Sequence, residues 1–204
     1  MRLEAILILL AAFGLMFSNA FADPPLIRVD LESQAAYIVP EGYATARKAD
    51  FQSSIPGPVK IDGFWTPPAQ DVAVADRVFG ELIRAAVKNP ALLFPDLAPN
   101  PDRTVPVNPE VAKQLEEERN ELALISKNFD AYARQYAGII VGGQKLVFCN
   151  YSTGTRADPS AGYLFIDKVF VPDGTVRFLQ CQFKPIEKTC SNVSMFGSWQ
   201  PPEK

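Results

Sequence analysis

Three sets of side chains in this sequence could do chemistry: its cysteines, one cluster of cation, amide and phenol groups, and its carboxylates. Cys181 and Cys190 flank the segment Lys184-Pro185-Ile186-Glu187, where Pro at the second position suits a four-residue turn. If Phe183 pairs with Lys188, Cys181 falls directly opposite Cys190. Paired antiparallel residues have Cα atoms about 4.5–5.5 Å apart, within bridging range. We therefore expect a Cys181–Cys190 disulfide, with Cys149 left as a buried structural thiol beside Phe148 and Tyr151. The pairings Cys149–Cys181 and Cys149–Cys190 stay open, because either would form if those strands were neighbours.

The second set is Asp130, Tyr132, Arg134, Gln135 and Tyr136. Arg134 could clamp a carboxylate through its planar fork of donors, which makes Arg134, Gln135 and Tyr136 the ligand-binding candidates. The plainer reading is structural. Tyr132 and Tyr136 continue an apolar stripe, and a cation near a helix C-terminus offsets the dipole.

The third set excludes more than it selects. The chain has no His, which removes Ser-His-Asp and Cys-His nucleophile pairs and every His-ligated metal site. It also lacks a G-x-S-x-G elbow, an S-x-x-K pair, a phosphate-binding glycine loop and an EF-hand loop. Asp96 and Asp102 do not make a calcium cage. We expect no metal site, no cofactor and no catalytic residue of a familiar kind. Paired carboxylates that meet only in the fold leave a carboxylate-dependent hydrolase as the alternative. A net charge of -3 argues against nucleic acid, whose binding rests on Lys and Arg neutralising phosphates.

These side chains must be positioned by elements that the pattern also suggests. Arg2, the uncharged apolar run 5–17 and Ala20-Phe21-Ala22 read as a signal peptide over residues 1–22. The run is too short to span a bilayer, so we expect no membrane span after cleavage and a secreted or periplasmic product. Residues 23–65, with five prolines and little periodicity, read as an extended arm, and 66–204 as a single domain. A helix follows with Thr66 as cap, Pro67 at its first position, and Val72, Ala75, Val78, Phe79, Leu82, Ile83 and Ala86 on one face. Asn89-Pro90 ends it.

A proline-rich connector leads to a second helix, capped by Asn108 with Pro109 first. Its apolar stripe runs through Val111, Leu115, Leu122, Ile125, Phe129, Tyr132 and Tyr136. Glu116, Glu117, Glu118 and Glu121 form its solvent face. After Gly138 the period changes to two. Strands are expected at 139–141 and 145–151 around Gly142-Gly143, then at 163–171, 175–183 and 189–196. The sum is an α+β fold, two amphipathic helices followed by a four- to five-stranded antiparallel meander.

Trp65-Thr66-Pro67 before a helix, Tyr132-x-Arg134-Gln135-Tyr136-x-Gly138, a strand ending at Asn150, Asp173-Gly174 before Phe178-Leu179-Gln180, and the segment from Asn192 to Gly197 stand in this order. Over about residues 64–197 the chain resembles a family of small secreted bacterial proteins of no established activity. The resemblance implies an exported bacterial α+β domain and carries over no catalytic residue; the cysteine pair is not part of its pattern. We expect a non-catalytic domain of the bacterial periplasm or exterior that binds a protein or a small ligand.

Overall fold

The computed structural model describes residues 26–32, 34–55, 59–94, 109–152 and 178–196. The expected signal peptide, the strand expected at 163–171 and the first residues of that expected at 175–183 lie outside them. The described strands are β1 (Ile27–Asp30), β2 (Ala35–Val39), β3 (Gly63–Trp65), β4 (Ala133–Val141), β5 (Gln144–Ser152), β6 (Phe178–Lys184) and β7 (Thr189–Phe196). The described helices are α1 (Glu41–Ala46), α2 (Lys48–Ser54), α3 (Ala69–Lys88) and α4 (Pro109–Lys127). Short 3-10 turns occupy Pro90–Leu92 and Phe129–Ala131.

The fold is mixed α+β, built on one seven-stranded sheet in the order β1-β2-β4-β5-β6-β7, with β3 also paired to β4. β5 pairs along the whole of β4. The opposite edge of β4 is therefore shared, first by β2 in parallel at 135–137 and then by β3 antiparallel at 138–140. This corrects the expected arrangement. The described residues between 26 and 65 are not an extended arm beside a meander, because they form three strands of this sheet and two helices packed on it.

Local sequence explains the long elements. Along α3, Val72, Ala75, Phe79, Ile83 and Ala86 recur at steps of three and four and are all fully buried. The helix begins at Ala69 after Pro68, with no side-chain cap. Thr66 does not cap it; its Oγ1 accepts the backbone N–H of Glu41 and closes the start of α1 at 2.9 Å. Helix α4 starts at Pro109 as expected but stops at Lys127. Asn128 ends the helix, its side-chain amide donating to the Leu124 carbonyl at 2.8 Å. Tyr132 and Tyr136 consequently leave the helix stripe: Tyr132 precedes β4 and Tyr136 lies within it. They still join the same core, because a strand face can present alternate residues to a helix layer as well as a helix can.

The β4–β5 hairpin turns at Gly142 and Gly143, with φ of 55° and 77°. Both central positions of a type I′ turn need this left-handed conformation, which glycine adopts without steric cost. Asp62 accepts the Gly142 N–H at 2.7 Å and ties the turn to the chain entering β3. Gly138 meets a different demand. It pairs with Trp65, and a Cβ there would lie 2.2 Å from the Trp65 carbonyl and 2.7 Å from the indole. The indole crosses this bare position and donates to the Leu146 carbonyl.

Each sheet face is covered separately. One packs Tyr136, Cys149, Tyr151, Leu179, Cys181 and Phe183 against α3 and α4. The other packs Val39, Phe64, Ala137, Ile139 and Phe148 against Tyr43, Phe51 and Ile55 of and after α1 and α2. Phe148 and Phe183 are therefore core residues.

Candidate functional site

Alternation along β4 decides the fate of the three ligand-binding candidates. Arg134 and Tyr136 point to the α3 side, and Gln135 to the opposite face. Arg134 is 1% exposed. Its Nε donates to Asp76 of α3 at 2.7 Å, and its Nη1 and Nη2 donate to the carbonyls of Tyr132 and Phe129. The guanidinium also lies 4.9 Å from the Phe129 ring centroid and 5.7 Å from that of Tyr151, where the ring faces attract a cation. Tyr136 donates its hydroxyl to the same Asp76 oxygen at 2.8 Å, and its phenol oxygen is hydrogen-bonded with that of Tyr151 at 3.2 Å. Burial holds the Tyr136 and Tyr151 phenols well above the ordinary tyrosine range, with the charge of Asp76 adding to it.

This network ties the start of β4 to the middle of α3. Arg134 has committed its fork inside the fold, so it positions the cleft wall rather than reaching a ligand. Gln135 lines a narrow crevice with Val39, Phe51, Phe148 and Asn150 that has no room for a water molecule. The amide row continues across the sheet as Asn150 and Gln180, linked at 3.3 Å, and Gln182, which accepts from Asn192.

A cleft of about 430 Å³ opens beside the network, between α3, residues 31–32 and the 129–131 turn. Its charged lining comprises Glu32, Asp76, Arg77, Arg84, Asp130 and Arg134. Asp76 is already engaged by Arg134 and Tyr136, while Glu32 and Asp130 are exposed on the rim. Gly80 shapes the cleft floor: a Cβ there would come 3.2 Å from the Phe129 ring and 3.5 Å from the Arg84 guanidinium.

Arg84 also lines a second groove, of about 630 Å³, between the last turns of α3 and α4 with Lys88, Ala123, Ser126 and Lys127. Arg77, Arg84 and Lys88 recur at steps of seven and four, which places them along one flank of α3. Glu81 shares that flank and forms no ion pair among the described residues. Among the described residues, no acid pairs with Arg77, Arg84, Lys88 or Lys127. In sequence these cations are indistinguishable from the solvated polar face of any amphipathic helix. Their lack of partners is invisible without the fold.

The cysteines meet more closely than expected. β5 and β6 are neighbours, and Cys149 pairs directly with Cys181. The β6–β7 turn uses residues 185–188, so Lys184 pairs with Thr189 and Phe183 with Cys190. The expected register, with Cys181 opposite Cys190, is off by one residue on each strand. A bulge at Asn192, whose φ is 49°, nevertheless brings the Cys181 and Cys190 sulfurs to 3.6 Å across a diagonal. Cys149 and Cys181 are fully buried and Cys190 half-buried. Burial raises the Cys149 and Cys181 thiols above the usual thiol range. Among the described residues no group of three or more Cys, Asp and Glu is arranged to hold a metal ion, and no helix is long and apolar enough to cross a membrane.

Comparison with protein-family models, curated proteins and solved structures finds no match for this chain.

Proposed function

We propose that the chain is a non-catalytic exported domain that binds an acidic ligand along the flank of α3. The carrying observation is Arg84, an exposed cation that borders both clefts and has no ion-pair partner among the described residues. Unpaired guanidinium and ammonium groups beside apolar walls favour carboxylate or phosphate groups, since each contact forms without first breaking an internal pair. Export rests on the sequence of residues 1–22: the short apolar run and the small residues before Asp23. Mass spectrometry of the secreted protein should find it beginning at Asp23; an intact Met1 species in the membrane fraction would overturn export.

The binding test is calorimetry with an oligoglutamate peptide and a neutral oligoglutamine of equal length. The acidic peptide should bind, more weakly as salt rises. Arg84→Ala should lower its affinity about tenfold, which corresponds to ~1.4 kcal/mol. Equal binding of both peptides, or an Arg84→Ala protein that binds as tightly as the parent, would refute the assignment.

A further inference from the structure

The three cysteines support an inference that does not depend on ligand binding. We propose that Cys190 is a site of S-thiolation by low-molecular-weight disulfides, and that Cys181 is the shared partner of two alternative disulfides, with Cys190 and with Cys149. The three thiols stand on adjacent strands β7, β6 and β5 and face the same helix layer. Cys181 is central: its sulfur lies 3.6 Å from that of Cys190, and it stands directly opposite Cys149 in the β5–β6 pairing. Of the three, only Cys190 is not fully buried, and it lies on the outermost of the described strands, so an external disulfide attacks there first.

The chemistry is thiol–disulfide exchange. The Cys190 thiolate attacks one sulfur of a disulfide RSSR, forming Cys190–S–SR and releasing RS⁻, which takes up the proton that Cys190 lost. Cys181 then loses its proton and attacks the Cys190 sulfur, forming Cys181–S–S–Cys190 and releasing a second RSH. One RSSR has been reduced and two protein thiols oxidised. Closing the 3.6 Å gap to a bond of about 2.05 Å needs about 1.5 Å of sulfur movement, within reach of side-chain rotation and a small strand shift.

In the third step Cys149, directly opposite Cys181, loses its proton and attacks the Cys181 sulfur, expelling Cys190 as a thiolate that takes up a proton. One S–S bond breaks and one forms, with no net oxidation. The bond has moved from the half-buried Cys190 to the fully buried pair, and Cys190 is free to be thiolated again. Burial keeps Cys149 and Cys181 protonated, so the inward steps are slow and the first adduct persists long enough to be trapped.

The test treats the reduced full-length protein with oxidised glutathione, stops samples by acid and alkylation, and maps peptides without reduction. The parent protein should show glutathione on Cys190 first, rising and then falling, followed by both Cys181–Cys190 and Cys149–Cys181. Cys181→Ser should hold the Cys190 adduct without decay. Cys190→Ser should slow all oxidation at least tenfold. Cys149→Ser should yield Cys181–Cys190 alone. First modification at a cysteine other than Cys190, or a parent protein in which only one of the two disulfides ever forms, would overturn the proposal. If Cys181→Ser does not fold, the order of products in the parent protein decides by itself.

Discussion

Replacing Asp76 by Ala removes the carboxylate that receives both Arg134 Nε and the Tyr136 hydroxyl. The guanidinium left behind is 1% exposed and keeps only two carbonyl acceptors and the ring faces. Asp130 cannot take over, since its carboxylate is 3.8 Å away and its side chain is 80% exposed, so water screens it. Removing one partner of a buried pair costs about 3–5 kcal/mol, because the other charge stays desolvated. The Asp76 side chain is 15% exposed, and water entering on that side places the cost near the lower end, about 3 kcal/mol. For a chain of this size that lowers Tm by about 6–12 °C. Asp76→Asn, which keeps an acceptor oxygen but loses the charge, should cost about half as much.

Urea unfolding followed by circular dichroism measures the change as a shift of midpoint at constant slope. A cycle with Arg134→Met isolates the pair: the double variant should be more stable than Asp76→Ala alone, because no buried charge is then stranded. A loss under ~1 kcal/mol for Asp76→Ala, or strictly additive effects in the cycle, would show that the network does not hold α3 to β4 as argued.

Other perturbations follow from the same packing. Tyr132 is fully buried with no hydrogen-bond partner for its hydroxyl among the described residues, so Tyr132→Phe should leave stability equal or higher. Tyr136→Phe breaks bonds to Asp76 and Tyr151 and should cost about 1–2 kcal/mol; the opposite ranking in urea unfolding would contradict the network. Gly138→Ala forces β3 away from β4, because the added methyl overlaps the Trp65 backbone. It should cost about 3 kcal/mol or more and speed hydrogen exchange of the Trp65 indole N–H, which normally donates to Leu146; unchanged exchange would speak against it. The pH dependence carries a definite sign. Tyr136 and Tyr151 ionise later in the folded protein than in the unfolded chain. Above about pH 10 the unfolded state therefore binds fewer protons, and stability falls as pH rises. Tyrosinate absorbance should show part of the ionisation arriving together with unfolding, and a fully reversible titration of every tyrosine in folded protein would rule this out.

What could be read from the sequence was what neighbouring residues settle among themselves. Helix α3 was legible because its buried residues repeat at helical spacing within one stretch, and α4 because Pro109 and Glu110 mark its start. The β4–β5 hairpin was legible because Gly142-Gly143 accepts left-handed φ that other residues resist. The end of α4 was not, since Tyr132 and Tyr136 fit a helical stripe and a strand face equally well until their partners are known.

Tertiary structure decided the rest. Strands β1, β2 and β3 have four, five and three residues, too few to show a period, and β2 and β3 are held by β4 far along the chain. Arg134 looked available because nothing near it in sequence claims its donors; Asp76, a full helix away, does. The order of strands likewise set the cysteine geometry. Local symmetry around the 185–188 turn brought Cys190 toward Cys181, but only the adjacency of β5 and β6 placed Cys149 against the same sulfur. Periodicity and turn chemistry act over a few residues and are written into the sequence. Which charge meets which, and which thiol faces which, depends on contacts that exist only once distant segments share a face.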